Sequence, residues 1–302
     1  MGELDPALAA VIGAVPDWAG LTPDVTPITI GITNRNFRVD LGGSSFVVRL
    51  SGKDTELLGI DRAAEEEAAR AAAGAGVGPE VFAYLPEHSA LITRFVQGEH
   101  IPEENLQREE VLRPVIASVK AIHACPPIRS TFPVFRIVED YAHLATERGV
   151  AIPAAFEDAH AMAGRIEASF ARAPMPLTTC HNDLLNANFL QDGEHVWIVD
   201  YEYAGIGDPF FDLGNLSINN GLRPEAQELL LRLYFGEVTD EHRARLGLMR
   251  IMSDFREAMW GVVQQALSTL DFDYVGYADK HFMRLLGTAA DPRFEDWLRA
   301  VA

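Results

Sequence analysis

Hydrophobic and polar positions alternate through much of the first ninety residues. Val39 and Leu41 alternate with the charged residues Arg38 and Asp40, which is the pattern of a half-buried strand. A second β-rich run, SSFVVRL, follows directly after Gly42-Gly43, so the pair of runs predicts a hairpin. Segment 54–76 is rich in Ala and Glu and ends at glycines, which predicts a helix followed by two short strands, EVFAYLP and ALITRFV.

Helical periodicity replaces this pattern after residue 102. Helices are predicted at 103–124, 153–172, 223–236 and 240–268. The stretch 175–205 is the exception, since it predicts short strands joined by polar turns. We therefore expect a bilobal α+β fold. Residues 1–95 would form a small β-rich N-lobe with one main helix, and residues 96–302 a larger, mostly helical C-lobe, with the cleft between them as the ligand site.

The chain of 302 residues has an ordinary globular composition but a formal net charge of −19. A surface of this sign repels DNA and RNA, so we exclude nucleic-acid binding and expect a cationic small substrate to be attracted. An anionic nucleotide would need local help from an arginine or a metal ion.

Two observations bear on the compartment. There is no run of about 18 apolar residues and no basic leader at the N-terminus, so neither a membrane span nor a secretory signal is predicted. Cys125 and Cys180 are too few for a disulfide framework. We expect a cytoplasmic protein, and the sequence leaves a monomer and a homodimer equally open.

The densest group of polar residues is HNDLLNANFL, at 181–190. Asp183 and Asn188 are five residues apart, the Asp-x-x-x-x-Asn spacing of a kinase catalytic loop. Asp200 ends the following strand-like run, so a turn would bring it close to Asn188. Amide and carboxylate oxygens suit Mg²⁺, while Asp183 could accept the proton of an attacking hydroxyl. The alternative is a polar turn and a strand-end cap.

His181 begins the same stretch and has two possible roles. It could act as a general base in competition with Asp183, or its imidazole could bond to the backbone and brace the loop. GITNRNFRV could form a turn over phosphates, although it has a single glycine, Gly31, and an ordinary hairpin is the alternative. Arg49 is the only basic residue of the next strand, and one acid among Glu65, Glu66 and Glu67 could anchor it.

The chain resembles the choline/ethanolamine kinase family, within the aminoglycoside-phosphotransferase-like kinases. The segments that carry the resemblance are GITNRNFRV, FVVRL, IDRAAEEEA, GVGPEVF, RFVQGEHI, HNDLLNANFL, IVDYEYAGIGDPFFDLGN and WGVVQQALSTLDFDYVGYA. It implies a protein-kinase-like fold and transfer of phosphate from Mg-ATP to a small molecule's hydroxyl.

The resemblance also implies roles for individual residues. Asp183 matches the catalytic base, and Asn188 and Asp200 match metal ligands. Arg49 matches the residue that reaches the nucleotide phosphates, with Glu65 as its best partner. The remaining matches are Asn34 in the phosphate-covering turn, Thr93, Arg94 and Phe95 at an adenine-binding hinge, and Asp212 as a brace of the catalytic loop.

For the acceptor pocket, the resemblance implies an aromatic cage around a cation. Tyr203, Trp260 and Tyr277 match cage positions, Phe272 and Tyr274 lie beside them, and Glu202 faces the pocket or a second metal. Residue types alone would favour aromatics of a helix core. Glu257 stands where the family has a second Trp, and a carboxylate accepts hydrogen bonds from a primary ammonium. If Glu257 lines the site rather than pointing to solvent, we predict that ethanolamine or another amino alcohol is used at least as well as choline.

The leading hypothesis is therefore an ATP- and Mg²⁺-dependent kinase of choline, ethanolamine or a related amino alcohol. One alternative is a kinase of the same fold acting on an aminoglycoside or a sugar. The other is a non-catalytic nucleotide-binding scaffold, which the presence of Asp183, Asn188 and Asp200 disfavours.

Overall fold

The computed structural model describes residues 4–29, 34–52 and 54–301, and it shows two lobes. A five-stranded antiparallel sheet forms the first lobe, in the order β1-β2-β3-β5-β4. Its strands are β1 (Asp24–Ile28), β2 (Arg35–Leu41), β3 (Ser44–Leu50), β4 (Val81–Leu85) and β5 (Ala90–Arg94).

The predicted hairpin between β2 and β3 is confirmed. Leu41 pairs with Ser44, so the turn consists of Gly42 and Gly43, whose φ angles are 60° and 78°. Left-handed φ at both turn residues matches the twist of the flanking strands and favours glycine.

The sheet has its own small core, which a short N-terminal helix covers. This helix, α1 (Pro6–Ala14), buries Leu8 and Val11. Trp18 packs between Phe46 and Phe82, with ring centroids 5.0 and 5.7 Å away. The sequence reading did not predict α1, because its apolar residues surround the helix without a clear polar face.

The one main helix of the N-lobe, α2 (Arg62–Gly74), is shorter than predicted. Asp61 caps its first turn by accepting from the amides of Ala63 and Ala64. Residues upstream form a separate 3-10 turn, Thr55–Leu58, because Gly59 at φ 78° interrupts the helical path. The apolar face of α2 packs into the core of the second lobe, so α2 connects the lobes.

The second lobe is mostly helical. Its helices are α3 (Glu109–His123), α4 (Val134–Glu147), α5 (Ala155–Arg172), α6 (Pro209–Asn219), α7 (Pro224–Phe235), α8 (Asp240–Leu267), α9 (Tyr274–Ala289) and α10 (Phe294–Ala300). The helices predicted from periodicity correspond to α3, α5, α7 and α8. The others were missed; α6, for example, is buried on all sides and so carries no amphipathic signal. The predicted bilobal α+β class is confirmed.

Short strands position the centre of the molecule. Three of them, β6 (Glu99–His100), β8 (Phe189–Asp192) and β9 (His195–Ile198), form one sheet, while β7 (Thr178–Cys180) pairs with β10 (Gly205–Gly207). The polar loop 181–188 lies between β7 and β8, at the bottom of the interlobe cleft. Within the described ranges, no helix combines the length and the apolar character needed to cross a membrane.

Candidate active site

A cavity of about 540 Å³ lies between the two lobes, and most of the predicted site residues line it. Those residues are Asn34, Arg49, Thr93, Arg94, Phe95, Asp183, Asn188, Asp200, Glu202, Tyr203, Glu257, Trp260 and Tyr277. Glu65, His181, Phe272 and Tyr274 are not among its lining residues. The loop 181–188 therefore faces the cleft between the lobes, which is where the sequence analysis predicts the ligand site.

The loop is held from below by α6. The Asp212 carboxylate is fully buried and accepts from the amides of His181 and Asn182, at 2.8 and 2.6 Å. It also accepts from Nε2 of His123 at 2.9 Å, and Nδ1 of that ring accepts from the Tyr234 hydroxyl. Burial alone would raise the pKa of Asp212, but the bonds from His123 and the loop hold it below its ordinary value.

Two asparagine side chains, those of Asn215 and Asn220, also hold this loop, and the sequence analysis missed both. Leu184 donates its amide to Oδ1 of Asn215 at 2.6 Å, and its carbonyl accepts from Asn220 at 2.9 Å. Asp212 and Asn215 are three residues apart among otherwise apolar residues at 209–216, which is the signal that could have found Asn215.

His181 is a completely buried brace. Its Nε2 donates to the carbonyl of Val199 at 3.0 Å, and its Nδ1 accepts from the amide of Asp183 at 3.2 Å. Burial is the main cause that lowers the pKa of His181. Both ring nitrogens are thus occupied by backbone, which is the bracing geometry rather than that of a general base.

Asp183 lies on the cavity floor beside Asn188. The Asn188 amide nitrogen donates to the carbonyl of Asp183 at 2.8 Å and to its carboxylate at 3.3 Å. The amide oxygen of Asn188 accepts no hydrogen bond from the residues that the structure describes. Burial, followed by the charge of Glu257 and of the nearby acids Asp200 and Glu202, raises the pKa of Asp183 well above its ordinary value, against the opposing effect of Arg256.

Asp200 follows β9 and has a left-handed backbone, with φ 69°. This conformation is uncommon for a residue other than glycine and is frequent at functional sites. Its carboxylate contacts the guanidinium of Arg49, which also contacts Glu65 on α2. Glu65 is therefore the helix acid that faces Arg49, whereas Glu66 pairs with Arg70 on the helix surface.

A second arginine extends this network across the lobes. Nη1 of Arg62 lies 2.7 Å from Glu65 and 3.2 Å from Glu202. Asn34 donates to Glu202 at 2.9 Å and accepts from Arg62 at 3.2 Å. Residues 31–33 of the predicted phosphate-covering turn GITNRNFRV lie outside the described residues.

The upper part of the cavity is an apolar slot. Val47 and Leu91 line it from the sheet, and Leu190 and Val199 line it from the second lobe. Such a slot suits a flat aromatic base. The sequence reading missed these residues, because their spacing along the chain does not reveal that they face one another.

The predicted hinge residues lie beside this slot, although the backbone amides of two of them already donate to the protein. Arg94 donates its amide to Glu80 at 2.8 Å, and Phe95 donates to Ser45 at 3.0 Å. The guanidinium of Arg94 stacks over Phe46 at 4.7 Å.

The opposite end of the cavity combines aromatic rings with charged groups. Trp260 donates from Nε1 to the hydroxyl of Tyr203 at 2.9 Å, and Tyr277 meets the Trp260 ring edge-on at 5.6 Å. Glu257 is 3% exposed and accepts from the hydroxyl of Tyr277 at 2.7 Å. Its other oxygen accepts from Nη1 of Arg256 at 2.8 Å. Glu257 therefore faces the site, and the alternative that it points to solvent is wrong.

Phe272 and Tyr274 occupy positions behind this wall. The ring of Tyr274 packs against Trp260 at 6.0 Å, and Phe272 packs against Tyr274 at 4.8 Å while remaining 42% exposed. Tyr274 is the first residue of α9 and Phe272 lies two residues before it, and the first turn of α9 places Tyr277 rather than either of them in the cavity lining.

A small antiparallel sheet above a helical lobe, with an Arg–Glu pair and a buried catalytic-type loop around one cleft, defines a kinase-like phosphotransferase. The chain belongs to the phosphotransferase enzyme family, whose model matches residues 24–247, and within it to the choline/ethanolamine kinase family. The predicted family and the protein-kinase-like fold class are thus confirmed. The chain is a small-molecule kinase.

Individual relatives support this placement. The structure of a choline/ethanolamine kinase family protein from Mesorhizobium loti is 33% identical, covers 97% of each chain and has a TM-score of 0.85. Ethanolamine kinase 1 of Homo sapiens is 25% identical over 88% of this chain and 68% of its own length. The choline kinase LicA of Streptococcus pneumoniae is 19% identical, covers 94% and 98% of the two chains and has a TM-score of 0.77, which shows the shared fold.

Proposed function

We propose that this kinase transfers the γ-phosphoryl group of ATP to the hydroxyl of choline, ethanolamine or a related amino alcohol. The observation that carries the proposal is the arrangement of the cavity between the lobes. Asp183 lies between the Arg49–Asp200 contact at one end and the wall of Tyr203, Trp260 and Tyr277 at the other. The names of the relatives favour the same acceptors.

In this proposal Asp183 receives the proton of the acceptor hydroxyl as its oxygen attacks the γ-phosphorus. Asn188 fixes the carboxylate through its amide nitrogen, while His181 and Asp212 hold the loop backbone in place. An acid with a raised pKa is suited to accept a proton near neutral pH. Arg49, fixed by Glu65, would bind the nucleotide phosphates, and the apolar slot would hold the adenine.

The oxygen donors around Asp183 fit Mg²⁺. Asn188 keeps its amide oxygen available, and Asp200 and Glu202 provide carboxylates on the same side of the cavity. Hard oxygen ligands of this kind are those that Mg²⁺ prefers. A bound Mg²⁺ would neutralise charge on the nucleotide phosphates, and Asn188 and Asp200 are the residues we propose to hold it.

Basic groups disfavour the aminoglycoside alternative. Arg256 and Lys280 line the acceptor end of the cavity. An aminoglycoside carries several ammonium groups, which would meet these two cations, whereas an amino alcohol has a single ammonium that Glu257 and the aromatic rings can face.

An ADP-release assay with Mg-ATP and an acceptor panel tests the proposal. The panel contains choline, ethanolamine, an aminoglycoside and a sugar, and each is measured with a no-acceptor blank. We expect ethanolamine to be used at least as well as choline, because Glu257 lines the pocket. Turnover of the aminoglycoside or the sugar alone would reject the proposal. Nucleotide binding without any acceptor-dependent ADP release from a broad panel of alcohols would favour the scaffold.

A further inference from the structure

The facing sides of helices α8 and α9 form the acceptor end of the cavity. On α8, Asp254, Glu257 and Trp260 follow one another at intervals of three residues. On α9, Tyr277 and His281 are four residues apart, and residues at such spacings share one side of a helix. Tyr277 donates its hydroxyl to Glu257. One turn away, Nδ1 of His281 lies 2.8 Å from the carboxylate of Asp254, so His281 and Asp254 form a second ring–carboxylate pair between the two helices.

The contact with Asp254 fixes the orientation of the His281 ring. Asp254 is fully buried, and Nε of Arg284 donates to the same carboxylate at 2.8 Å. A carboxylate paired with arginine only accepts hydrogen bonds, so Nδ1 of His281 is the donor in this contact. A neutral imidazole that donates from Nδ1 presents a lone pair at Nε2. Nε2 is therefore the nitrogen with which His281 can accept a hydrogen bond.

Nε2 of His281 remains open to the cavity. His281 lines the cavity, and its ring packs 4.5 Å from that of Tyr277, so it continues the aromatic wall that begins at Trp260. Nε2 forms no hydrogen bond with any residue that the structure describes. It is also not among the described polar atoms that are both buried and unpartnered, so it keeps access to the cavity.

Other acceptors at this end of the cavity already have donors. Glu257 accepts from the hydroxyl of Tyr277 with one oxygen and from Nη1 of Arg256 with the other. Oδ1 of Asn219 accepts at 2.9 Å from an arginine of α9. Nε2 of His281, in contrast, has no donor within the described part of the chain. A ligand that brings an N–H group to this nitrogen therefore gains a hydrogen bond without displacing one that the protein makes.

We propose that His281, positioned by Asp254, selects acceptors whose ammonium carries at least one N–H. The ammonium lies against the ring of Tyr277, Glu257 supplies the opposite charge, and one N–H is donated to Nε2 of the neutral His281 ring. A trimethylammonium has no N–H, so it places a methyl group against Nε2 and leaves that nitrogen without a donor. This inference rests on the proposed function, because it names the residue that discriminates among amino alcohols at the same site.

Acceptors that differ only in N-methylation test the proposal. Protonated ethanolamine, N-methylethanolamine and N,N-dimethylethanolamine each keep at least one N–H, whereas choline has none. We expect kcat/KM to change little among the first three and to fall at least about 10-fold between N,N-dimethylethanolamine and choline. An even decline over every added methyl group would indicate exclusion by size and would overturn the proposal. A kcat/KM for choline that equals that for N,N-dimethylethanolamine would overturn it as well.

Variants assign the step to its residue. His281→Phe keeps a ring but removes the acceptor, so kcat/KM for N,N-dimethylethanolamine should fall about 10-fold, toward an unchanged value for choline. His281→Gln, whose amide oxygen can accept in place of Nε2, should restore part of the step. Lys280→Met is the matched control, because Lys280 is an exposed neighbour on α9 that also lines the cavity. It changes charge and removes no acceptor, so it should affect all four compounds alike. A folded His281→Phe variant that retains the step would contradict the proposal.

Nitrogen-15 NMR of the histidine side chains tests the contact without a substitution, should His281→Phe fail to fold. The His281 ring can be assigned through its contact with Tyr277. We expect a protonated Nδ1 and a bare Nε2, whose resonance shifts on addition of N,N-dimethylethanolamine as a nitrogen does when it accepts a hydrogen bond. Choline should cause no such shift. An Nε2 resonance that responds to neither compound, or equally to both, would overturn the proposal.

The two proposals fail in different ways. If choline is phosphorylated as well as N,N-dimethylethanolamine or better, the role of His281 is wrong and the amino alcohol kinase stands. If no member of the series is phosphorylated while a sugar or an aminoglycoside is, the proposed function fails and this inference fails with it.

Discussion

Asp183 combines a proposed catalytic role with a cost to stability. Its carboxyl group lies deep in the cleft near Glu257, Asp200 and Glu202, and burial with these charges raises its pKa. In the absence of metal and nucleotide, the folded chain therefore binds this proton more readily than the unfolded chain does. The free energy of unfolding then falls as pH rises from about 4 through the folded pKa, so the ionised group destabilises the protein at neutral pH.

Asp183→Asn should consequently give a more stable and inactive protein. We expect kcat to fall by about 10²–10⁴-fold, because the amide cannot accept the hydroxyl proton. Urea unfolding in EDTA at neutral pH should show a free energy of unfolding higher by about 1 kcal/mol or more, with the difference shrinking toward pH 4.

The control for this experiment is Asp192→Asn, at an exposed position on β8, which should change neither kcat nor stability. Near-normal kcat in Asp183→Asn would remove Asp183 from the mechanism. If Asp183→Asn unfolds more easily than the unsubstituted protein, then the fold stabilises the ionised Asp183 carboxylate despite its burial and the neighbouring acids.

At the scale of single elements, α6 links the fold to the site. Asp212 and Asn215 on this helix bind the loop that carries Asp183, and the helix itself rests against α8. Gly214 permits this contact, because an added Cβ would lie 2.7 Å from the backbone carbon of Met249. The position of the loop thus depends on how closely two helices approach.

Gly214→Ala is expected to separate α6 from α8. The atoms in the way belong to the backbone of α8 and cannot rotate aside, so we expect a loss of about 1–3 kcal/mol in stability, measured by urea unfolding. kcat should fall as well, because the loop moves with α6.

Gly164→Ala on α5 is the matched control. Its added Cβ would meet nothing within 4 Å, so the better helix propensity of Ala should leave stability unchanged or raise it by up to about 1 kcal/mol. Equal effects of the two substitutions would refute the packing explanation.

The same elements show what a sequence can and cannot reveal. The spacing of Asp183 and Asn188 is local, so the loop could be predicted before any fold was known. Arg256 was not predicted, because its place in the cavity wall depends on Tyr203 and Glu257, which lie around it only in the folded chain. Helix α8 was predicted from its periodicity, but it is buried on nearly every side, so the sequence pattern without the family resemblance does not show which of its faces forms the pocket wall.

Across the whole molecule, two kinds of contact join the lobes: ion pairs across the cleft and apolar packing along α2. The sheet has its own core around Val39 and Phe46, while the apolar side of α2 belongs to the larger core of the second lobe. Arg49 and Arg62 then contact Asp200 and Glu202 across the cleft. The proposed nucleotide site therefore lies where ion pairs hold the lobes together, with apolar packing alongside it at α2.

The net charge of the whole chain also affects its stability. The chain has 44 acidic and 25 basic residues, an excess of 19 negative charges. Surface ion pairs such as Arg165–Glu295 contribute only about 0–1 kcal/mol each, so salt removes little by screening them. Repulsion among the excess carboxylates is screened by the same salt, and it should be the larger effect.

We therefore expect the melting temperature at neutral pH to rise by a few degrees between about 20 mM and 300 mM NaCl, a range over which the Debye length falls below about 10 Å. The control is the same titration near pH 5, where carboxylates approach their ordinary pKa of about 4 and the repulsion is weaker, so the rise should be smaller. A melting temperature that falls with salt at neutral pH would mean that the ion pairs, including those that join the lobes, outweigh the repulsion of the acidic surface.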